Sequence, residues 1–197
     1  PKELEKLSGS IHHQGVVAMI DEPHVEELTP QIINSFIANK EHTILLDRVG
    51  NANNLGAIVR SAAFFGIKNI IIPNDEAQSS ITTSSYRVAE GGMEFVNIYS
   101  TSSILKLLKA VEGKMVRVGT DLSARKNVSE IHNFVAVKPA LIILGNEEHG
   151  ISESVRKNCD ELVIIPFFGM KTGKASPVES LNVAQAASII LYELRNK

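Results

Sequence analysis

At 197 residues with 44% hydrophobic content, the chain has the length of one domain and enough apolar material for a full core, which excludes a disordered segment or a small disulfide scaffold. Twenty Lys and Arg against 22 Asp and Glu leave a formal net charge of −2, so the surface is not basic throughout and any nucleic-acid contact has to be local. The single Cys159 excludes an intrachain disulfide, no signal peptide is evident, and no apolar run reaches the roughly 18 residues of a membrane span, so the expected compartment is the cytoplasm.

In chain order, the first ten residues are polar and without period, and HHQGVVAMID predicts a short strand over residues 16–20. Thr29 followed by Pro30 predicts a capped helix running to about Asn39. TILLDRV predicts a buried strand over 43–49. The apolar spacing of Leu55, Ile58, Val59, Ala62 and Phe65 predicts a helix over 54–65, with Asn54 as its cap and Gly66 as its stop. Further strands are expected over 69–73, 94–99, 115–120, 140–145 and 161–166. Helices are expected near 84–89, from a Thr101 or Ser102 cap to Val111, and over 180–195. Strands alternating with helices read as an α/β fold with a mostly parallel sheet flanked by helices. The one possible boundary, around 21–29, divides a linker and N-terminal strand over 1–28 from a main domain over 29–197. A chain that begins at Pro1 rather than Met reads as processed or as a piece of a longer protein, in which a further N-terminal module would hold the missing basic surface.

Three stretches place a polar, Gly/Asn-rich turn between a strand and a helix: NNLGAIVRSAAFFG from Asn53, LIILGNEEHGIS from Leu141, and IPFFG through to Ser180-Leu181-Asn182. At the carboxyl ends of a parallel sheet such loops converge where open α/β folds bind ligands. Taken alone, Arg60 reads as a solvated surface cation and Ser180 as a helix cap. Adjacent Glu147, Glu148 and His149 side chains point apart, with no second ligand cluster, so no metal is expected. There is no GxGxxG and no P-loop lysine, which disfavours a dehydrogenase or NTPase. Cys159 reads as a buried thiol.

In this order the three loops resemble the signature motifs of the SpoU (TrmH) family of RNA ribose 2′-O-methyltransferases, of the SPOUT class. NLGAIVRSA matches the first motif at Asn54, Gly56 and Arg60. Gly145, Glu147 and Gly150 match the second, and Ile165-Pro166, Gly169 and Ser180-Leu181-Asn182 the third. The resemblance implies a C-terminal trefoil knot, whose loops hold S-adenosyl-L-methionine largely through backbone groups, here at Leu144, Gly145, Ile165, Ser180 and Leu181. It implies methyl transfer to a ribose 2′-hydroxyl, with Arg60 assisting deprotonation, Asn54 in a supporting polar role, and Glu147, Ser180 and Asn182 completing the catalytic set. It also implies a homodimer with a pocket completed across the interface. The alternative is an inactive RNA-binding member of the same fold. HHQGVVA resembles the join after a small RNA-binding domain in the ribosomal branch, which puts ribosomal RNA first and transfer RNA second. The family's usual few residues after Gly169 are here MKTGKASPVE, whose Lys171 and Lys174 read as part of a charged surface loop. Phe167 and Phe168 stand where the family often has methionine and a variable residue, and they are expected to alter the adenine pocket. The apolar stripe Val183, Ala187, Ile190, Leu191 and Leu194 suits either intrachain packing or a dimer seam.

Overall fold

The computed structural model describes residues 2–9, 11, 13, 15–19, 25–169 and 180–196. Its sheet has eight strands, all parallel: β1 (Glu26–Glu27), β2 (Thr43–Asp47), β3 (Asn69–Pro73), β4 (Asn97–Thr101), β5 (Val116–Thr120), β6 (Lys126–Asn127), β7 (Ala140–Gly145) and β8 (Glu161–Ile164), in the order β1-β4-β3-β2-β7-β5-β8-β6. The helices are α1 (Lys2–Ser8), α2 (Pro30–Ala38), α3 (Ala52–Phe64), α4 (Thr83–Ala89), α5 (Ile104–Ala110), α6 (Ile131–Phe134), α7 (Glu153–Arg156) and α8 (Val183–Arg195). No described helix is long and apolar enough to cross a membrane.

The period-two alternation of strand side chains sorts the core into two layers. Ile44 and Leu46, Ile70 and Ile72, and Ile142 and Leu144 face one side, where α3 and α8 cover them with Leu55, Ile58, Ala62, Ala187, Ile190 and Leu191. Leu45, Ile71, Leu141 and Ile143 face the other, under Ile33 and Phe36 of α2, Leu107 and Leu108 of α5, and Val155 of α7. Burial on both faces explains why the central strands are continuous aliphatic runs. The α8 stripe is resolved by this packing, since Val183, Ala187, Ile190, Leu191 and Leu194 are all buried within the chain.

Register then positions the loops. β2 and β7 pair from Thr43 with Leu141 to Asp47 with Gly145. The turns that follow them therefore leave the carboxyl edge side by side.

Several expectations are corrected. Residues 16–19 form no strand, and Val16 and Met19 are 76% and 89% exposed; the edge position beside β4 is taken instead by Glu26 and Glu27. Ile20 lies outside the described residues. The polar opening contains α1, which buries nothing and so carries no apolar period. β4 starts at Asn97 rather than Glu94, because Gly92–Glu94 form a 3-10 turn. Ser103, not Thr101 or Ser102, caps α5, its hydroxyl accepting from Lys106 N at 3.3 Å.

Candidate active site

The site begins with two helix caps. Asn51, not Asn54, caps α3: its Oδ1 accepts from the N–H of Asn53 at 2.8 Å and of Asn54 at 3.4 Å. Asn182, not Ser180, caps α8, accepting from Ala184 N at 2.9 Å. The first cap frees the Asn54 side chain. Its Nδ2 donates to Glu147 Oε1 at 2.7 Å, and its Oδ1 accepts from Asn182 Nδ2 at 3.0 Å. One amide thus ties all three loops together, and the other Glu147 oxygen accepts from Gly50 N at 3.4 Å.

The loop that carries Glu147 is fixed at both ends. Asn146 and Gly150 exchange backbone hydrogen bonds at 3.0 and 2.9 Å. Asn146 Oδ1 accepts from the N–H of Glu148 and His149, while its Nδ2 donates to Arg48 O at 3.0 Å. At the far end, buried Asp47 accepts from Ser152 N at 2.7 Å and from Arg48 Nε at 3.0 Å. The loop closes so tightly over β7 that a Cβ at Gly145 would lie 2.1 Å from the Gly150 carbonyl carbon. Only glycine fits there.

Beside these loops lies a cavity of about 990 Å³, at the upper end of the range for small-molecule sites. Leu144, Gly145, Ile165, Ser180 and Leu181 all line it, together with Glu147 and Asn182. Asn54 is attached to the wall through its two hydrogen bonds. Arg60 is not among the lining residues. Its Nη1 pairs instead with Glu90 Oε1 at 2.8 Å, with both side chains more than half exposed. Phe167 and Phe168 stand on the cavity wall; Lys171 and Lys174, with all of residues 170–179, lie outside the described residues.

Sequence reasoning missed Asp47, Asn146 and the wall formed by Thr120, Asp121 and Leu122 at the end of β5. An aspartate directly after the aliphatic run of β2 was the available signal for the first. Among the described residues no group of three or more His, Cys, Asp or Glu is placed to hold a metal. Cys159 lies outside the cavity lining, and burial pushes its thiol up to about 12, so it is not a ready nucleophile.

A family model, the SpoU rRNA Methylase family, matches residues 41–192. The chain belongs to the SpoU family. Its SpoU relatives include the 23S rRNA (guanosine-2′-O-)-methyltransferase RlmB of Acinetobacter baylyi, 33% identical over 194 residues that cover 96% of this chain and 73% of RlmB. An uncharacterized tRNA/rRNA methyltransferase of Mycobacterium sp. (strain KMS) is 30% identical, covering 98% of this chain and 58% of that protein. Among solved structures, the SpoU methyltransferase AviRb from Streptomyces viridochromogenes in complex with AdoMet is similar at a TM-score of 0.67 and 31% identity, over 79% of this chain and 60% of AviRb. The chain therefore spans about three fifths of several of the SpoU proteins it matches.

Proposed function

We propose that this chain is the catalytic domain of an S-adenosylmethionine-dependent RNA 2′-O-methyltransferase acting on ribosomal RNA first and transfer RNA second. The observation that carries the reading is the Asn182–Asn54–Glu147 chain of hydrogen bonds, which joins the three SpoU motifs beside one cavity at the carboxyl edge of the sheet. A further reading of the fold is the trefoil knot expected from the family. The resemblance of the HHQGVVA segment to the family's interdomain join supports reading residues 1–28 as a linker to an RNA-binding module.

The cavity suits the cofactor in size and chemistry. Leu144, Ile165 and Leu181 supply apolar wall, Gly145 lets the Gly150 backbone close against the end of β7, and Ser180 adds a hydroxyl. When bound, the cofactor supplies an activated methyl group. The chain's own task is then alignment and charge: holding the reacting atoms in line contributes about 7 to 11 kcal/mol as effective concentration. Glu147 and Asn182 hold Asn54 from both sides, so its amide needs no reorganisation on binding. A guanidinium is ordinarily too basic to accept a proton, so Arg60 acts by stabilising charge that develops on the ribose 2′-oxygen as its proton passes to a substrate phosphate or to water.

Arg60 stands outside the cavity lining of its own chain, which supports a homodimer in which each cavity is completed by the partner's copy of that arginine. Phe64 and Tyr192, 82% and 53% exposed on the outer faces of α3 and α8, offer apolar surface for a second copy. The Glu90 pairing of Arg60 is the one observation that favours an inactive RNA-binding member instead. Incubation with methyl-labelled cofactor and ribosomal RNA, followed by digestion to nucleosides, separates the two. A 2′-O-methylated nucleoside is expected; base methylation or no transfer would contradict the proposal.

A further inference from the structure

Arg60, the cation that the proposed reaction needs, is held by a carboxylate from outside the three motifs. Glu90 is the C-cap of α4 and adopts the left-handed conformation at φ 45°, ψ 50°. That region is costly for a residue with a Cβ and is usually left to glycine or asparagine. Gly91 follows at φ 86°, and Gly92 is buried at the start of the 3-10 turn. A Cβ at Gly92 would lie 3.2 Å from the Arg60 Cα, so the 90–92 turn rests directly on the part of α3 that carries the cation. The 2.8 Å ion pair is therefore set by the packing of two backbones and not by two long side chains alone.

The pair does little for stability. With the side chains 57% and 62% exposed, it belongs to the class of surface ion pairs that contribute little. A glutamate in a strained position with so small a stabilising return points to function. Its carboxylate offers Arg60 the same kind of anionic oxygen that an RNA phosphate offers. We propose that Glu90 is a specificity residue, which occupies Arg60 in the RNA-free protein and yields it to an RNA that sets a phosphate beside it. Contacts of a free arginine with non-target RNA are electrostatic and sequence-independent, and a built-in competitor suppresses them. This inference rests on the reading of Arg60 as the cation that meets substrate.

The test is a double-mutant cycle in RNA binding with Glu90→Gln, Arg60→Ala and the combination, read on ribosomal RNA and on an oligouridylate across a salt series. Glu90→Gln should raise affinity by about two- to five-fold, the range an exposed ion pair sustains. The gain should be larger for the oligouridylate and should shrink as salt rises. In the Arg60→Ala background most of it should vanish. A gain that persists undiminished in that background, or no gain at low salt, overturns the proposal. Methyl transfer by Arg60→Ala alone tests the catalytic reading separately, because the binding cycle does not depend on turnover.

Discussion

The wall of the cavity and the arginine beyond it are built in opposite ways. Asn54, Glu147 and Asn182 are each fixed by hydrogen bonds to named partners, and the loop that bears Glu147 is pinned at Asn146 and at Ser152. Arg60 is exposed, paired to one carboxylate and absent from the cavity lining. The difference separates two tasks. In the proposed reaction the cavity wall is assembled by the chain alone, whereas the Arg60 charge becomes available when RNA, and in the proposed dimer a second copy, arrives.

Substitutions on the two sides should therefore fail differently. The largest effect is expected at Arg60→Ala, where removal of a charge-stabilising group lowers methyl transfer by about 10²- to 10³-fold. Cofactor affinity, read by calorimetry, should stay within about two-fold. Asn54→Asp attacks the wall by placing a carboxylate against Glu147. The loss of a hydrogen bond to a charged group, worth about 1.5 to 3 kcal/mol, should weaken cofactor binding about ten- to a hundred-fold as well as transfer. If cofactor affinity survives this change, the amide chain is not what shapes the cavity. Gly145→Ala should lower stability by about 1 to 3 kcal/mol, because its Cβ meets the Gly150 backbone. Thermal melting should fall by several degrees.

The smallest effect lies at the opposite edge of the sheet. His42 accepts a hydrogen bond from Ala140 N at 2.9 Å, and burial, helped by the Arg195 charge, lowers its pKa to about 4. A depressed histidine favours the folded state above its ordinary value near 6.5, and that contribution is lost as pH falls from about 6.5 toward 4. Melting temperature should decline across this window and less steeply in His42→Gln. An identical slope in the variant would remove His42 as the cause.

What could be read directly from the sequence was what local chemistry decides. The strands over 69–73 and 140–145 end where expected, because an uninterrupted aliphatic run between polar turns has no competing assignment. Thr29 and Pro30 open α2 as their chemistry requires, with Thr29 Oγ1 accepting from Ile32 N at 3.3 Å. The residues expected at the cofactor pocket line one cavity because the motifs lie in loops that parallel pairing aligns. The misreadings came from tertiary choices. Asn51 and Asn54 are equally good caps by composition, and only the partner loops show which one is free. The 16–20 run has the hydrophobicity of a strand, yet the sheet edge is already taken by β1. The pairing of Arg60 with Glu90 spans thirty positions and depends on a left-handed turn that no local pattern marks.

The most direct test of this division is calorimetric titration of S-adenosylmethionine, without RNA, into the wild-type protein and Arg60→Ala. This division predicts one saturable site per chain with matching affinity in both, alongside methyl transfer about 10²- to 10³-fold slower in Arg60→Ala. No binding by the folded wild-type protein, or loss of binding in Arg60→Ala, would contradict it.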